Sequence, residues 1–311
     1  MATYLVTGGC GFIGSHLCDA LVGRGDKVRV LDNLSTGRYE NLPTGVDFTV
    51  GDVGERSIVE EAMKGVDGCF HLAAVASVAQ SVEDWTGTHR TNLTGAINVF
   101  DAARETCVPV VYASSAAVYG DNATVPLSED SVARPLTPYG ADKLGCELHA
   151  RVAGLIHRVP TTGFRFFNVF GPRQDPSSPY SGVISIFADR ILQGVPLTIF
   201  GDGQQVRDFV YVADVVRFLL AGMAQSGRDG QVFNVCSGST TTIMQLARTM
   251  GVIAGIQPTT DSRPARAGDI RMSLGDPAKA KRLLGISTQT DLGEGLKITM
   301  ESLKRRHIDA A

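Results

Sequence analysis

No apolar run in the 311 residues approaches the roughly 20 needed to cross a bilayer, so no segment reads as a membrane span. A basic leader is also missing. Met1-Ala2-Thr3-Tyr4-Leu5-Val6 runs straight into a strand-like stretch, which does not read as a signal peptide. The six cysteines (Cys10, Cys18, Cys69, Cys107, Cys146 and Cys236) are scattered and form no Cys-x-x-Cys pair. That excludes a zinc ribbon or a disulfide framework, and they read as buried or half-buried thiols in a reducing cytoplasm, with no metal expected. Clustered positive charge is scarce as well. The formal net charge is −3, and the densest basic stretch, Lys304-Arg305-Arg306, falls at the end of a predicted helix, where it complements the helix dipole. A nucleic-acid partner needs clustered Lys and Arg, and none is expected here.

What the chain does have is alternation. Strand patterns at Tyr4–Thr7, Lys27–Leu31, Val46–Val50, Gly68–Leu72, Val108–Ser114 and Thr162–Phe167 alternate with helical patterns at Phe12–Gly23, Ser57–Lys64, Thr91–Thr106 and Pro138–His157. Such alternation predicts βαβ units: a doubly wound parallel α/β sheet with helices on both faces. The strands are nearly continuous apolar runs, as expected where both sheet faces are covered. After residue 170 the texture changes. The stretch 171–179 is rich in turn formers and reads as an exposed loop. Beyond it, helices near 182–193, 213–226, 242–255 and 293–306 and strands near 197–200 and 232–235 follow a less regular order. The spacing predicts a dinucleotide-type domain over 1–170, with about 205–235 returning to it, and a smaller α/β substrate-binding lobe over most of 171–311.

The first strand runs into Gly8-Gly9-Cys10-Gly11-Phe12-Ile13-Gly14. Glycines at 8, 11 and 14 suit a tight turn off the strand, a close approach of backbone amides to a pyrophosphate, and close helix–sheet packing. The amides of Phe12 and Ile13 open the helix, whose N-terminus favours phosphate. The second strand ends at Asp32, close to the spacing of a ribose-binding acid. Such a carboxylate accepts from both ribose hydroxyls and repels a 2′-phosphate, and no Arg immediately follows it. The expected cofactor is NAD, in a Rossmann domain.

A second cluster follows the strand that ends near Ser114 and Ser115. Tyr139 and Lys143 are four residues apart on a predicted helix, hence on one face. A phenol is a poor base near neutrality, and a neighbouring ammonium favours its phenolate. Ser115, at the carboxyl end of its strand, lies where ligands collect in doubly wound sheets and is placed to hydrogen-bond an oxygen that loses its proton.

With these motifs the chain resembles the extended short-chain dehydrogenase/reductases and, among them, the NAD-dependent UDP-galactose and UDP-N-acetylglucosamine 4-epimerases. The resemblance runs along essentially the whole chain. It takes in the glycine motif, Asp32-Asn33-Leu34-Ser35-Thr36-Gly37, Gly51-Asp52-Val53, His71-Leu72-Ala73-Ala74, the Ser/Tyr/Lys set, Asn168, Val206-Arg207-Asp208 and Arg263-Pro264-Ala265-Arg266-Ala267-Gly268-Asp269. It implies that Asn33 and Ser35, Thr36 and Gly37 lie along the adenosine side of NAD, and that Asp52 and Val53 meet the adenine. Leu72, Ala73 and Ala74 would line the pyrophosphate and nicotinamide ribose, which Lys143 would hydrogen-bond. For the substrate it implies Asn168 on a diphosphate oxygen, Thr198 and Phe200 beside the uracil, Arg207 and Arg266 on the diphosphate, and Asp269 on the uridine ribose. The reaction implied is transient oxidation at C4: Tyr139 takes the hydroxyl proton with Ser115 bridging, and hydride passes to NAD and returns to the opposite face. Related dehydratases carry an Asp-Glu pair where this chain has Ala116-Ala117, and related decarboxylases a Glu in the same stretch.

Two positions bear on substrate breadth. By resemblance, Ser273 stands beside the sugar C2 substituent, where a small residue admits an N-acetyl group. Ala76-Ser77-Val78 places another small residue and a hydroxyl near the sugar. The expected substrate is a UDP-N-acetylhexosamine, UDP-GlcNAc/UDP-GalNAc, with UDP-hexose as a second or sole alternative. UDP-glucuronate is a further rival, for which Arg173 is the candidate cation. A non-catalytic NAD-sensing module is the alternative from another class. Helices 91–106 and 138–157 carry enough apolar positions for a second surface, and by analogy a homodimer is expected.

Overall fold

The computed structural model describes residues 1–176, 182–227, 229–265 and 270–309, the side chains as far as 306. Its elements follow in the order β1 (Thr3–Thr7), α1 (Phe12–Gly23), β2 (Lys27–Asp32), β3 (Asp47–Val50), α2 (Arg56–Met63), β4 (Gly68–His71), α3 (Val78–Glu83), α4 (Trp85–His89), α5 (Gly95–Ala103), β5 (Val110–Ser115), α6 (Pro138–His157) and β6 (Thr161–Phe166). The second half continues with β7 (Asn168–Phe170), α7 (Val183–Gln193), β8 (Leu197–Phe200), β9 (Val206–Arg207), β10 (Phe209–Tyr211), α8 (Val212–Ala224), β11 (Gln231–Val235) and β12 (Thr241–Thr242). It closes with α9 (Ile243–Ala254), β13 (Thr260–Arg263), α10 (Ala278–Leu284) and α11 (Leu292–Asp309).

Seven strands form one parallel sheet in the order β11-β6-β5-β4-β1-β2-β3. The order reverses between β1 and β4, and in such sheets ligands bind outside the carboxyl ends of the strands at this reversal. Helices cover both faces. One buried cluster joins Val6, Leu17, Leu21, Phe164, Phe218 and Leu219 beneath α1 and α8. The other joins Leu5, Val59, Phe100, Tyr112 and Ala150 beneath α2, α5 and α6. A third core, built on Phe187, Ile199, Leu246 and Leu296, lies among α7, α9 and α11.

Helix α6 has the bounds its sequence predicts because both ends carry local signals. Thr137 caps it by accepting from the Gly140 amide at 3.2 Å, Pro138 fills the first turn, and Arg158 leaves the helix in the left-handed region at φ 60°. The helix predicted over 91–106 differs. Its helical run starts at Trp85, where Asp84 caps α4, passes through a π-turn at Arg90–Thr94, and ends at Ala103. The wide turn surrounds Asn92, whose side chain exchanges two hydrogen bonds with the Val75 backbone (2.8 and 3.1 Å). Such tertiary demands leave no periodic trace.

Two further expectations are corrected. Cys107 is exposed, at the end of the turn after α5, although the other five cysteines are buried. The stretch after residue 170 is not an exposed loop over its described part: Gly171 is buried and residues 172–176 are half-buried. It is pinned to α1 by His16 Nε2 against the Pro172 carbonyl (2.9 Å) and by Arg173 on Asp19 (2.7 Å), and to the loop after β2 by Arg38 on Asp175 (3.0 Å).

Candidate active site

The carboxyl ends of β1, β4, β5 and β6 open into a cavity of about 590 Å³. Its floor is the glycine turn. Gly8 sits at φ 72°, and a Cβ there would come within 2.7 Å of the Ala73 amide nitrogen. At Gly14 a Cβ would lie 2.2 Å from the Gly8 carbonyl oxygen. Only glycine permits the turn and the seating of α1 against it. Gly11 caps α1, and Gly11, Phe12, Ile13 and Gly14 all line the cavity, so the positive end of the helix faces it.

Asp32 stands at the end of β2, 7% exposed, and its carboxylate accepts from the Cys10 amide (2.9 Å) and the Leu34 amide (2.8 Å). Its oxygens are thus oriented by the glycine turn itself. Thr36 lines the cavity. Asn33 accepts from the Ser35 amide at 3.0 Å, and Gly37 presses on Cys10 and Asp32. On the opposite wall Leu72 and Ala74 line the cavity, and Ala73 backs Gly8. Asp52 and Val53 do not line it: Asp52 bonds Arg90 (3.2 Å) and the Gly54 amide (2.7 Å), and Val53 is buried against Gly95.

Ser115, Tyr139 and Lys143 meet in this cavity with Ala116 and Ala117. Ser115 Oγ accepts from the Ala117 amide at 3.1 Å, which leaves its proton for a ligand. Lys143 is 3% exposed; its Nζ donates to the Ala113 carbonyl at 2.9 Å and lies 5.9 Å from the centre of the Tyr139 ring. The backbone amide of Tyr139 donates to Ser81 Oγ at 3.2 Å, which ties the first turn of α6 to α3. Beneath Lys143, burial first and the nearby ammonium second push His71 down to about 3, so it is a neutral partner of Thr7 (2.8 Å).

Asn168, Arg207 and Ser273 line the cavity as well. Asn168 donates to the Asp208 carbonyl (3.0 Å), and Arg207 to the carbonyls of Val206 (2.9 Å) and Ile270 (2.7 Å). Ser77 is not in the lining. Its hydroxyl caps α3 by accepting from the Gln80 amide at 3.0 Å, and its neighbours Ala76 and Val78 face the cavity instead. Thr198 and Phe200 also lie outside the lining; Thr198 Oγ1 accepts from Arg190 at 2.9 Å. Arg266 and Asp269 fall outside the described residues. Phe166, Phe167, Val169, Gln174 and Ile270 line the cavity without having been singled out. The apolar ones read in sequence as ordinary core, and Gln174 falls in a stretch whose turn formers read as loop.

Among the described residues no group of three His, Cys, Asp or Glu side chains could hold a metal ion, and no helix is long and apolar enough to cross a membrane.

The family model of the NAD-dependent epimerase/dehydratase family matches residues 4–236. The UDP-glucose 4-epimerase of Mycolicibacterium smegmatis is 37% identical, over 97% of this chain and 98% of its own. The crystal structure of a UDP-glucose 4-epimerase from Thermotoga maritima, solved with UDP-glucose, superposes with a TM-score of 0.95 at 38% identity, covering 98% and 99% of the two chains. A UDP-N-acetylglucosamine 4-epimerase from Methanobrevibacter ruminantium, in complex with UDP-N-acetylmuramic acid, superposes with a TM-score of 0.93 at 34% identity, covering 98% and 99%.

Proposed function

The chain belongs to the NAD-dependent epimerase/dehydratase family, as a UDP-sugar 4-epimerase, and we propose that its substrates are UDP-GlcNAc and UDP-GalNAc, interconverted by inversion at C4. One observation supports the choice of sugar: Ser273, which by resemblance borders the sugar C2 substituent, lines the cavity together with Ala76, and small side chains there favour an N-acetyl group. UDP-glucose and UDP-galactose, smaller at C2, fit the same space as a second activity. A UDP-glucuronate epimerase would need a cation for the C6 carboxylate. Arg173, the candidate, is absent from the cavity lining and is paired with Asp19 at 2.7 Å.

The described residues fit NAD. Gly8, Gly11 and Gly14 line the cavity at the N-terminus of α1, which suits a pyrophosphate. The Asp32 carboxylate, outside the lining at the end of β2, is oriented by two backbone amides, which suits a ribose. In this reading Asn33, Ser35, Thr36, Gly37, Asp52 and Val53 border the adenosine, and Leu72, Ala73 and Ala74 the pyrophosphate and nicotinamide ribose. Bound NAD supplies reversible oxidation at C4 with no net redox change. Tyr139 as phenolate accepts the C4 hydroxyl proton, Ser115 bridges it, and the Lys143 ammonium stabilises the phenolate. Asn168, Arg207 and Arg266 hold the diphosphate, with Arg suited to bidentate phosphate contacts. Thr198, Phe200 and Asp269 hold the uridine, and Ser77 and Ser273 border the sugar. Ala116 and Ala117 have no proton to move, so these two positions cannot serve an elimination of water.

The test is incubation of purified protein with UDP-GlcNAc and, separately, UDP-glucose, with products resolved by proton NMR. Formation of UDP-GalNAc is expected. Conversion of UDP-glucose alone would keep the chemistry and end the Ser273 reading. Tyr139→Phe is expected to lower kcat by a factor of ~10²–10⁴ while NAD stays bound; a sensor protein would be indifferent to that change.

A homodimer belongs to the same reading. Leu148, Val152 and Leu155 form an exposed apolar row on α6, beside exposed Ile97 on the neighbouring α5. A second copy presenting the same row would cover it.

A further inference from the structure

Tyr139, Lys143 and Glu147 are spaced i, i+4, i+8 along α6 and so form one row. The first two face the cavity. Glu147 does not, and only 6% of it is exposed. Its Oε1 accepts from Ser114 Oγ at 2.5 Å and from Arg165 Nε at 2.9 Å, and its Oε2 accepts from Arg165 Nη2 at 2.7 Å. The row therefore grips the end of β5 at two successive residues: Lys143 donates to the Ala113 carbonyl at 2.9 Å, and Ser114 donates to Glu147. Ser115 is the next residue.

A buried ion pair is a poor source of stability, because removing two charges from water offsets most of their attraction. What a bidentate pair does supply is one fixed orientation. Here that orientation is over-determined. Arg165 also donates to Tyr119 Oη (2.9 Å) and to the Glu129 carbonyl (3.0 Å), and its guanidinium lies 4.8 Å from the centre of the Tyr119 ring. Tyr119 in turn donates to Asn234 Oδ1 at 2.6 Å. Ser114, Glu147, Arg165, Tyr119 and Asn234 are all buried, so water cannot substitute for a broken link. Glu147 is thereby anchored to β6 and β11 and cannot follow a shift of α6 along β5.

We propose that Ser114 and Glu147 are positioning residues for the reaction: they fix the phase of α6 against the end of β5, and so the spacing among Ser115, Tyr139 and Lys143. This rests on the assignment of those three as the reacting set. Glu147 lies outside the cavity, and Ser114, although it lines the cavity beside Ser115, spends its hydroxyl proton on Glu147; their effect passes through the alignment of the reacting groups. A displacement of about 1 Å in such a set can lower turnover ~10²-fold.

The experiment uses Ser114→Ala, which removes one hydroxyl and leaves the Glu147–Arg165 pair in place, with Ser114→Thr and Tyr139→Phe alongside. For Ser114→Ala we expect kcat to fall ~10–100-fold, with KM for the UDP-sugar, bound NAD per chain and Tm close to native. Ser114→Thr, which restores a hydroxyl, should recover most of the kcat. Native-like kcat in Ser114→Ala, beside an inactive Tyr139→Phe, would overturn the positioning role and leave the reacting set standing. A loss of kcat that tracks loss of Tm and of bound NAD, unrepaired by Thr, would overturn it in favour of a purely structural role. Turnover retained by Tyr139→Phe would overturn the reacting set and the positioning role with it.

Discussion

His71, the last residue of β4, shows how burial, helped by a neighbouring ammonium, decides a protonation state. In an unfolded chain it takes up a proton near pH 6.5, whereas in the fold burial, then the neighbouring Lys143, holds it down to about 3. The unfolded chain therefore binds one more proton between those values. The contribution of neutral His71 to stability is complete above pH 6.5 and is lost as pH falls toward 3, at about 1.4 kcal/mol per pH unit. Urea unfolding at a series of pH values should show this acid limb, and His71→Asn should flatten it by the equivalent of one proton. Parallel limbs in the two proteins would refute the assignment. Residues of this kind are hard to read in sequence. His71 was visible only as part of a strand-end motif, and Glu147 looked like an ordinary polar residue of a helix. Its partner Arg165 lies 18 positions away on another element. The only available signal was the i, i+4, i+8 row from Tyr139. By contrast, that Gly8, Gly14, Ser115, Tyr139 and Lys143 face one cavity was legible, because each is placed by local geometry or by a spacing of a few residues; Asp32 stands at its strand end outside the lining.

Among the elements, α1 is where the cofactor reading is most exposed to test. Gly14 and Gly23 both lie in it and differ only in surroundings. A Cβ at Gly14 would meet the Gly8 carbonyl at 2.2 Å, and a Cβ at Gly23 would meet nothing within 4 Å. Gly14→Ala must push the helix off the turn. It is expected to release NAD from the purified protein and to lower Tm by several degrees. Gly23→Ala, in open space, should retain NAD and gain up to about 1 kcal/mol from helix propensity. Ultraviolet spectra of the denatured protein, which report bound dinucleotide, together with thermal melts separate the two; equal NAD content would end the close-packing account of Gly14. The same contrast explains which elements were legible. Helices α1 and α6 carry their own stop and start signals, and β1, β2, β4, β5 and β6 each hold two or more apolar residues in a short run beside a helical pattern. The strands β7, β9, β10, β12 and β13 are two to four residues long and exist by pairing with distant partners, as β13 does with β8 and β10 with β7. Segments so short have no period to detect, and the small helices α3 and α10 were missed for the same reason.

At the scale of the whole molecule the open question is what covers α6. One side of this helix is engaged with β5, β6 and the cavity, and the other carries Leu148 (60% exposed), Val152 (48%) and Leu155 (56%). Their i, i+4, i+7 spacing makes a continuous apolar row, wider than scattered surface leucines need explaining. A two-fold contact suits such a row because each copy brings the same surface to the other. Charged side chains placed there would face each other across the axis without partners, and burying them unpaired is costly. Leu148→Glu with Val152→Glu should therefore yield a monomer by sedimentation velocity, with far-ultraviolet dichroism unchanged because neither residue belongs to the buried core. The native protein at the same concentration should sediment as a dimer. If it sediments as a monomer, the row has another occupant or none, and the two-fold contact is refuted while the catalytic reading, which draws only on residues of one chain, is untouched.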